Sequence, residues 1–220
     1  MQNLKLNEQR SKNAIILIWI VFAMEIISFI SSFMQYILIQ EAANGEVISV
    51  EYANSNDSRE QIVGIIYMVA YFISGVTFIQ WFRRAYFNLH LKVNRLSQNE
   101  GWAAGSWFVP IVNLYRPYQI MKELFVETNF FFKRNEISVN KDFATVSLSM
   151  WWTLWIINNF LGQFIFKYSM RAETIDELTI STIANMVSNV LGIPLAIITI
   201  RIIKEYSSVE RLLSEAVLIE

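Results

Sequence analysis

Apolar residues run along this chain in four long blocks, at 14–39, 61–82, 143–168 and 181–203. Each exceeds the ~20 residues an α-helix needs to cross the hydrocarbon core of a bilayer. Basic residues enter only near the ends of the third and fourth blocks, as Lys167 and Arg201, and the last three blocks hold no Asp or Glu. The pattern predicts an all-α integral membrane protein with four transmembrane helices. The first block is far longer than the ~7–15 apolar residues of a cleavable signal, and Glu41-Ala42-Ala43 is a poor cleavage site. It reads as a retained signal anchor.

Between the second and third blocks the pattern changes. Residues 101–114 (GWAAGSWFVPIVNL) are apolar but too few to span, a length that suits a re-entrant or interfacial segment. Pro110 removes a backbone donor and disfavours helix at Val109, and Trp102, Trp107 and Tyr115 carry rings typical of headgroup depth. The segment is expected to dip in and return on one face. Pro117 then suits the first turn of a helix. Ile120, Met121, Leu124, Phe125, Thr128, Phe131 and Phe132 recur at helical spacing, with Lys122, Glu123, Glu127 and Lys133 on the other faces. That predicts an amphipathic helix over 117–134. A weaker stripe of Val209, Leu212, Leu213 and Ala216 marks a tail helix within 204–220 that covers one end of the bundle. The whole, 1–220, reads as a single membrane domain with a motif segment at 83–142.

Charge orients it. Eighteen basic and nineteen acidic residues nearly cancel, yet their distribution is lopsided. The N-terminus, the segment after the second block and the tail hold 15 of the 18 basic residues; the two remaining loops hold Arg59, Lys167 and Arg171 among eight acidic residues. Basic loops stay cytoplasmic, so both termini and the motif segment are expected inside, with acidic loops outside. Asn56-Asp57-Ser58 fits the glycosylation acceptor pattern in an outer loop, a triplet that is frequent by chance.

Composition excludes several chemistries. Hydrophobic residues make up 54 % and charged residues 17 %, against about 25 % charged in typical soluble chains, and mean hydropathy is +0.35. There is no cysteine and one histidine, His90, so no thiolate chemistry, no histidine-rich metal site and no metal or cofactor is expected. Near-neutral charge argues against nucleic acid as a partner. Nucleophile-elbow, phosphate-loop and metalloprotease motifs are missing from the sequence, so no catalytic residue is assigned and an enzyme is disfavoured.

The most specific signal lies in 81–128. Trp81, Arg84-Ala85, Asn88-Leu89, Gly101-Trp102-Ala103, Trp107-Phe108, Pro110, Asn113-Leu114 and Arg116-Pro117-Tyr118 resemble the core pattern of a bacterial membrane family known as domain of unknown function 4328. Asn99-Glu100 stands where that family often has Ser-Pro. The resemblance implies a multi-pass protein of the bacterial cytoplasmic membrane and no particular activity.

Two sets of residues are candidates for function. Glu25 is the one carboxylate inside a predicted span, where a charge is expensive and usually faces inward. It lies about 16 Å into the first block at 1.5 Å per residue; the same depth in the second falls on Tyr71, which predicts a Glu25–Tyr71 hydrogen bond. Asn158, Asn159 and Gln163 of the third span and Asn185, Ser188 and Asn189 of the fourth fall at similar heights. These groups either lock helices together, the commoner role, or line a path for a proton, cation or solute. Pro194, with Gly192, is expected to kink the fourth helix. The second set is Arg84, Asn88, Asn113 and Arg116, expected to meet beneath the re-entrant segment, with Trp102 and Trp107 at the headgroups. It would satisfy broken backbone, or bind an anionic headgroup or partner. The leading functional expectation is a noncatalytic interaction or regulatory protein working through this basic cytoplasmic face, with membrane lipids, a protein partner or a second copy as partners. A small transporter or channel subunit using Glu25 and the asparagines is the alternative, and a lipid-acting membrane enzyme a third.

Overall fold

The computed structural model describes residues 4–138 and 145–214. Among these every regular element is helical: α1 (Glu8–Ala43), α2 (Val50–His90), α3 (Trp102–Gly105), α4 (Arg116–Arg134), α5 (Thr145–Ser169) and α6 (Ile175–Glu210), with short 3₁₀ turns at Val112–Leu114 and Arg211–Ser214. Phe143, Lys141 and the last tail residues, Ala216 included, lie outside the described residues.

The helices overrun the apolar blocks, because a helix continues as long as its ends find caps. Gly45, at φ 84°, closes α1 in a left-handed turn, with the Gly45 and Glu46 amides returning to the carbonyls of Ala42 and Glu41. The Ser49 hydroxyl accepts the Tyr52 amide at the start of α2. Thr174 and Glu177 form a reciprocal cap on α6: Thr174 Oγ1 accepts the Glu177 amide, and Glu177 Oε2 accepts the amides of Glu173 and Thr174. Pro194 is carried inside α6, which continues through it.

Three helices, α1, α2 and the one beginning at Ile175, are long and apolar enough to cross a membrane, with mean hydropathies of 2.5, 2.2 and 2.0 in their most apolar stretches. In α2 only 17 % of that stretch is buried within the protein. Ile62, Ile65, Met68 and Phe72 stand exposed along it, a contiguous apolar surface that water does not tolerate on a monomer. The third predicted span corresponds to α5, of 25 residues, which is not among these three.

The chain divides into two compact units, to which α1, α2, α5 and α6 all contribute. One comprises the described parts of Met1–Leu17, Ser74–Trp152 and Ile198–Glu220. Its core holds the fully buried Trp81, Tyr86, Trp151 and Tyr206 against the apolar face of α4. The buried positions of α4 are Pro117 and then Ile120, Met121, Leu124, Phe125, Thr128, Phe131 and Phe132, these last seven being the stripe read from the sequence. Val209 and Leu213 of the tail stripe are buried as well.

Residues 101–114 form one turn of α3, a run of turns and the 3₁₀ turn, without a continuous helix. The break comes at Ile111, whose φ of 67° is strained for a β-branched residue, directly after Pro110. The Trp152 indole donates to the Leu114 carbonyl at 3.1 Å and ties the segment to α5. Trp107 is not a free-standing headgroup anchor: its ring packs edge-on against Phe78, Trp151 and Trp152. Trp102 remains more than a third exposed.

The second unit comprises Ile18–Ile73 and Thr153–Ile197. Where α1 meets α2, Arg59 donates to the Ser31 hydroxyl and carbonyl and to Asn56 Oδ1, while Ser31 hydrogen-bonds Glu60. Asn56 is therefore buried inside a helix and engaged, which removes the glycosylation pattern as an accessible acceptor.

Truncating Leu124 to Ala, at the centre of the buried α4 stripe, should cost about 2–5 kcal/mol. Truncating exposed Phe130 on the opposite side should cost little; thermal unfolding in detergent separates the two.

Candidate functional site

In the second unit the intramembrane candidates come together. Glu25, on α1, is 2 % exposed. Its Oε1 accepts the Tyr67 hydroxyl at 2.8 Å, so the partner on α2 is Tyr67, one turn before the expected Tyr71. Depth counting from the end of the apolar block missed by a turn because α2 runs on to His90. Tyr71 stacks on Tyr67, ring centroids 6.0 Å apart and 18° from parallel. Glu25 Oε2 is buried with no hydrogen-bond partner. The carboxylate lies against the bare α-carbon of Gly192 on α6: a Cβ there would fall 2.1 Å from Oε1. Gly192, read from sequence as a helix loosener, is the hole that admits the carboxylate.

The predicted polar rows meet each other through one bond and otherwise turn elsewhere. The amide nitrogens of Asn185 and Asn189 donate to Ser32 and Ser28 of α1, at 2.9 and 3.2 Å. Ser188 donates to Asn158 Oδ1 of α5 at 2.7 Å, and Gln163 donates to Asn159 within α5. Polar groups with no water to turn to find one another across helices. They do not close the space between the helices. A cleft of about 740 Å³ remains, lined by Tyr67, Tyr71, Asn158, Asn159, Asn185 and Asn189 among others. That volume lies in the ~300–1,000 Å³ range of small-molecule sites. No lysine or arginine is among the described residues lining it, while Glu60 is.

The basic-face candidates disperse. Asn88 is 1 % exposed and bonds through its side chain to the Lys5 backbone and to Glu210 Oε1, at 2.7 Å to the latter. Arg116 donates to Gln119 and lies over its neighbour Tyr115. Arg84 lies 5.8 Å from the Phe87 ring. Asn113 sits in the 3₁₀ turn, half-buried.

In their place the first unit holds a buried carboxylate that sequence reasoning missed. Glu210, beyond the fourth apolar block, accepts Asn7 Nδ2 at 3.1 and 3.0 Å as well as Asn88, and Asn7 also donates to the Trp81 carbonyl. Burial pushes its carboxyl above the ordinary range, opposed by the bonds from Asn88 and Asn7 and by the charge of Arg84. Glu123 has a comparable anchoring role in the open: it accepts the Tyr86 hydroxyl at 2.6 Å and the Ser97 amide at 2.7 Å, pinning the turn after α2. Among the described residues no cluster of three metal-ligating side chains occurs.

A family model described as Domain of unknown function (DUF4328) matches residues 44–208. The chain belongs to this family. The match extends from α2 to the end of α6 and so includes the motif segment, the cleft's α5 and α6 walls, and Gly192 opposite Glu25. No curated protein and no solved structure matches the chain.

Two outcomes follow from the buried carboxylates. Gly192→Ala should displace Glu25 and cost about 1–3 kcal/mol by overpacking; adding Glu25→Ala should recover most of it, as a double-mutant cycle on thermal unfolding would register. For Glu210, a raised folded-state value means the folded chain holds its proton longer than the unfolded chain. Its contribution is then fully present below about pH 4.5 and lost as pH rises through the raised value. Glu210→Gln should therefore gain on the native protein between pH 4 and pH 8 in melting temperature. A difference independent of pH counts against the buried ionisation.

Proposed function

We propose that this member of the family is a noncatalytic, multi-pass protein of the bacterial cytoplasmic membrane that binds a small ligand in the cleft of its second unit. The observation that supports this most is convergence. Seven of the eight intramembrane candidates line one cleft, and the eighth, Glu25, touches it through Tyr67. Of the basic-face candidates, Asn88 and Arg116 are instead taken up in separate structural bonds.

In this reading the chain crosses the membrane four times. The 25 residues of α5 extend about 38 Å, longer than the hydrocarbon core, and its polar side chains turn toward the cleft and toward α6 rather than to lipid. Charge sidedness puts both termini and the motif segment in the cytoplasm, where the broken backbone of 101–114 sits at the membrane face. The exposed Lys122, Lys133 and Arg134 would then meet anionic headgroups, each worth ~1 kcal/mol of attraction.

The absence of native cysteine makes the test direct. Glu46→Cys should react with an impermeant maleimide in intact cells, and Lys133→Cys only after permeabilisation. Asn159→Cys, in a water-filled cleft, should react with the same reagent, whereas Phe160→Cys, facing lipid, should not. An unreactive Asn159→Cys in the folded protein would identify a closed helix interface and remove the binding reading.

A further inference from the structure

The chemistry of the cleft selects among ligands, and this selection rests on the binding reading above. Asn185 and Asn189 each give one amide hydrogen to a serine of α1, which leaves each an amide oxygen and a second amide hydrogen to offer. Those oxygens accept hydrogen bonds or face positive charge; they repel anions. Tyr67 and Tyr71 present stacked rings on one wall, and aromatic faces attract cations through their quadrupole. Tyr67 is also the link to Glu25, whose second carboxylate oxygen is buried without a donor. The one charged side chain on the lining, Glu60, is acidic and sits 3.8 Å from Arg59, which offsets its charge. The lining is also strongly apolar, with Val63, Met68, Ile165 and Phe166. Carboxylate, amide oxygens and aromatic faces set in an apolar wall complement a positive charge carried on a greasy body.

We propose that the cleft binds lipophilic organic cations, with Tyr67, Tyr71 and the amide oxygens of Asn185 and Asn189 in contact and Glu25, through Tyr67, as the buried counter-charge. A cation arriving in a low-dielectric site needs a fixed negative partner nearby, and Glu25 is the carboxylate connected to the cleft that lacks one. Gly192 sets its position by leaving room for the carboxylate beside α6. An anion of the same shape finds amide hydrogens on Asn158 and Asn159, whose oxygens are taken by Ser188 and Gln163, but it meets the negative field of Glu25 and no lysine or arginine among the described lining residues.

The test uses the full chain in lipid nanodiscs and two probes of near-identical shape and opposite charge, tetraphenylphosphonium and tetraphenylborate, with binding followed by tyrosine and tryptophan fluorescence and by equilibrium dialysis. Saturable phosphonium binding at least about tenfold tighter than borate is expected, about 1.4 kcal/mol of discrimination. Glu25→Gln, confirmed folded by its melting curve, should erase the preference. Tyr67→Phe keeps the ring and removes the link to the carboxylate, and should reduce the preference without abolishing binding. Equal binding of the two ions, lost in Asn185→Leu, would overturn the assignment of charge and leave the cleft as a binding site. A preference for the phosphonium that persists unchanged in both Glu25→Gln and Tyr67→Phe would overturn the role of Glu25. No saturable binding of either probe would overturn the ligand class and the binding reading together.

Discussion

Backbone amides and carbonyls in apolar surroundings have no solvent to bond to, and this constraint governs the long apolar helices. Each unsatisfied group costs several kcal/mol, so long apolar stretches are stable only as uninterrupted helices whose bonds close within the segment. That is why α1, α2 and α6 overrun their apolar blocks until a Gly45 turn, a Ser49 cap or a Thr174–Glu177 box meets them. Irregular backbone is concentrated in 91–115, and there it is secured by other groups: Glu123 holds the Ser97 amide, and the Trp152 indole holds the Leu114 carbonyl.

The same scarcity of partners organises the side chains. Polar residues on apolar helices bond across to one another, as Asn185 with Ser32, Asn189 with Ser28 and Ser188 with Asn158 show. Each such bond is worth only ~0.6 kcal/mol on average, so they select which helix faces meet more than they hold them. Glu25 is the exception that incurs a cost: one oxygen is bonded and the other is buried without a donor. In the first unit Glu210 is handled oppositely, its two oxygens sharing the donors of Asn7 and Asn88, so that it joins the start of the chain to its end.

Much of this was legible beforehand where the signal is periodic or additive. The seven-position stripe of α4 appears in the structure position for position, because one-sided burial imposes a 3.6-residue period that survives in the sequence. Depth anticipated the Ser188–Asn158 bond between α5 and α6, but not that Asn185 and Asn189 turn to Ser32 and Ser28 of α1. Depth counting failed at finer scale. Tyr67 rather than Tyr71 reaches Glu25, because the edge of an apolar block is not the end of a helix. Trp107 looked like a headgroup anchor by residue type, yet it is packed with Phe78, Trp151 and Trp152; whether an indole faces lipid or core depends on neighbours distant in sequence.

By itself the sequence determined the all-helical class, the apolar helices, the amphipathic face of α4 and the family, since each follows from local composition, spacing or an ordered motif. The tertiary structure alone decided that Gly192 makes the hole for Glu25 and that Asn7 meets Glu210 across 203 residues. It also left an open cleft where the polar rows meet. A hydrogen bond between distant residues leaves no period in the chain. A cavity is a property of the space between helices, which no single segment encodes.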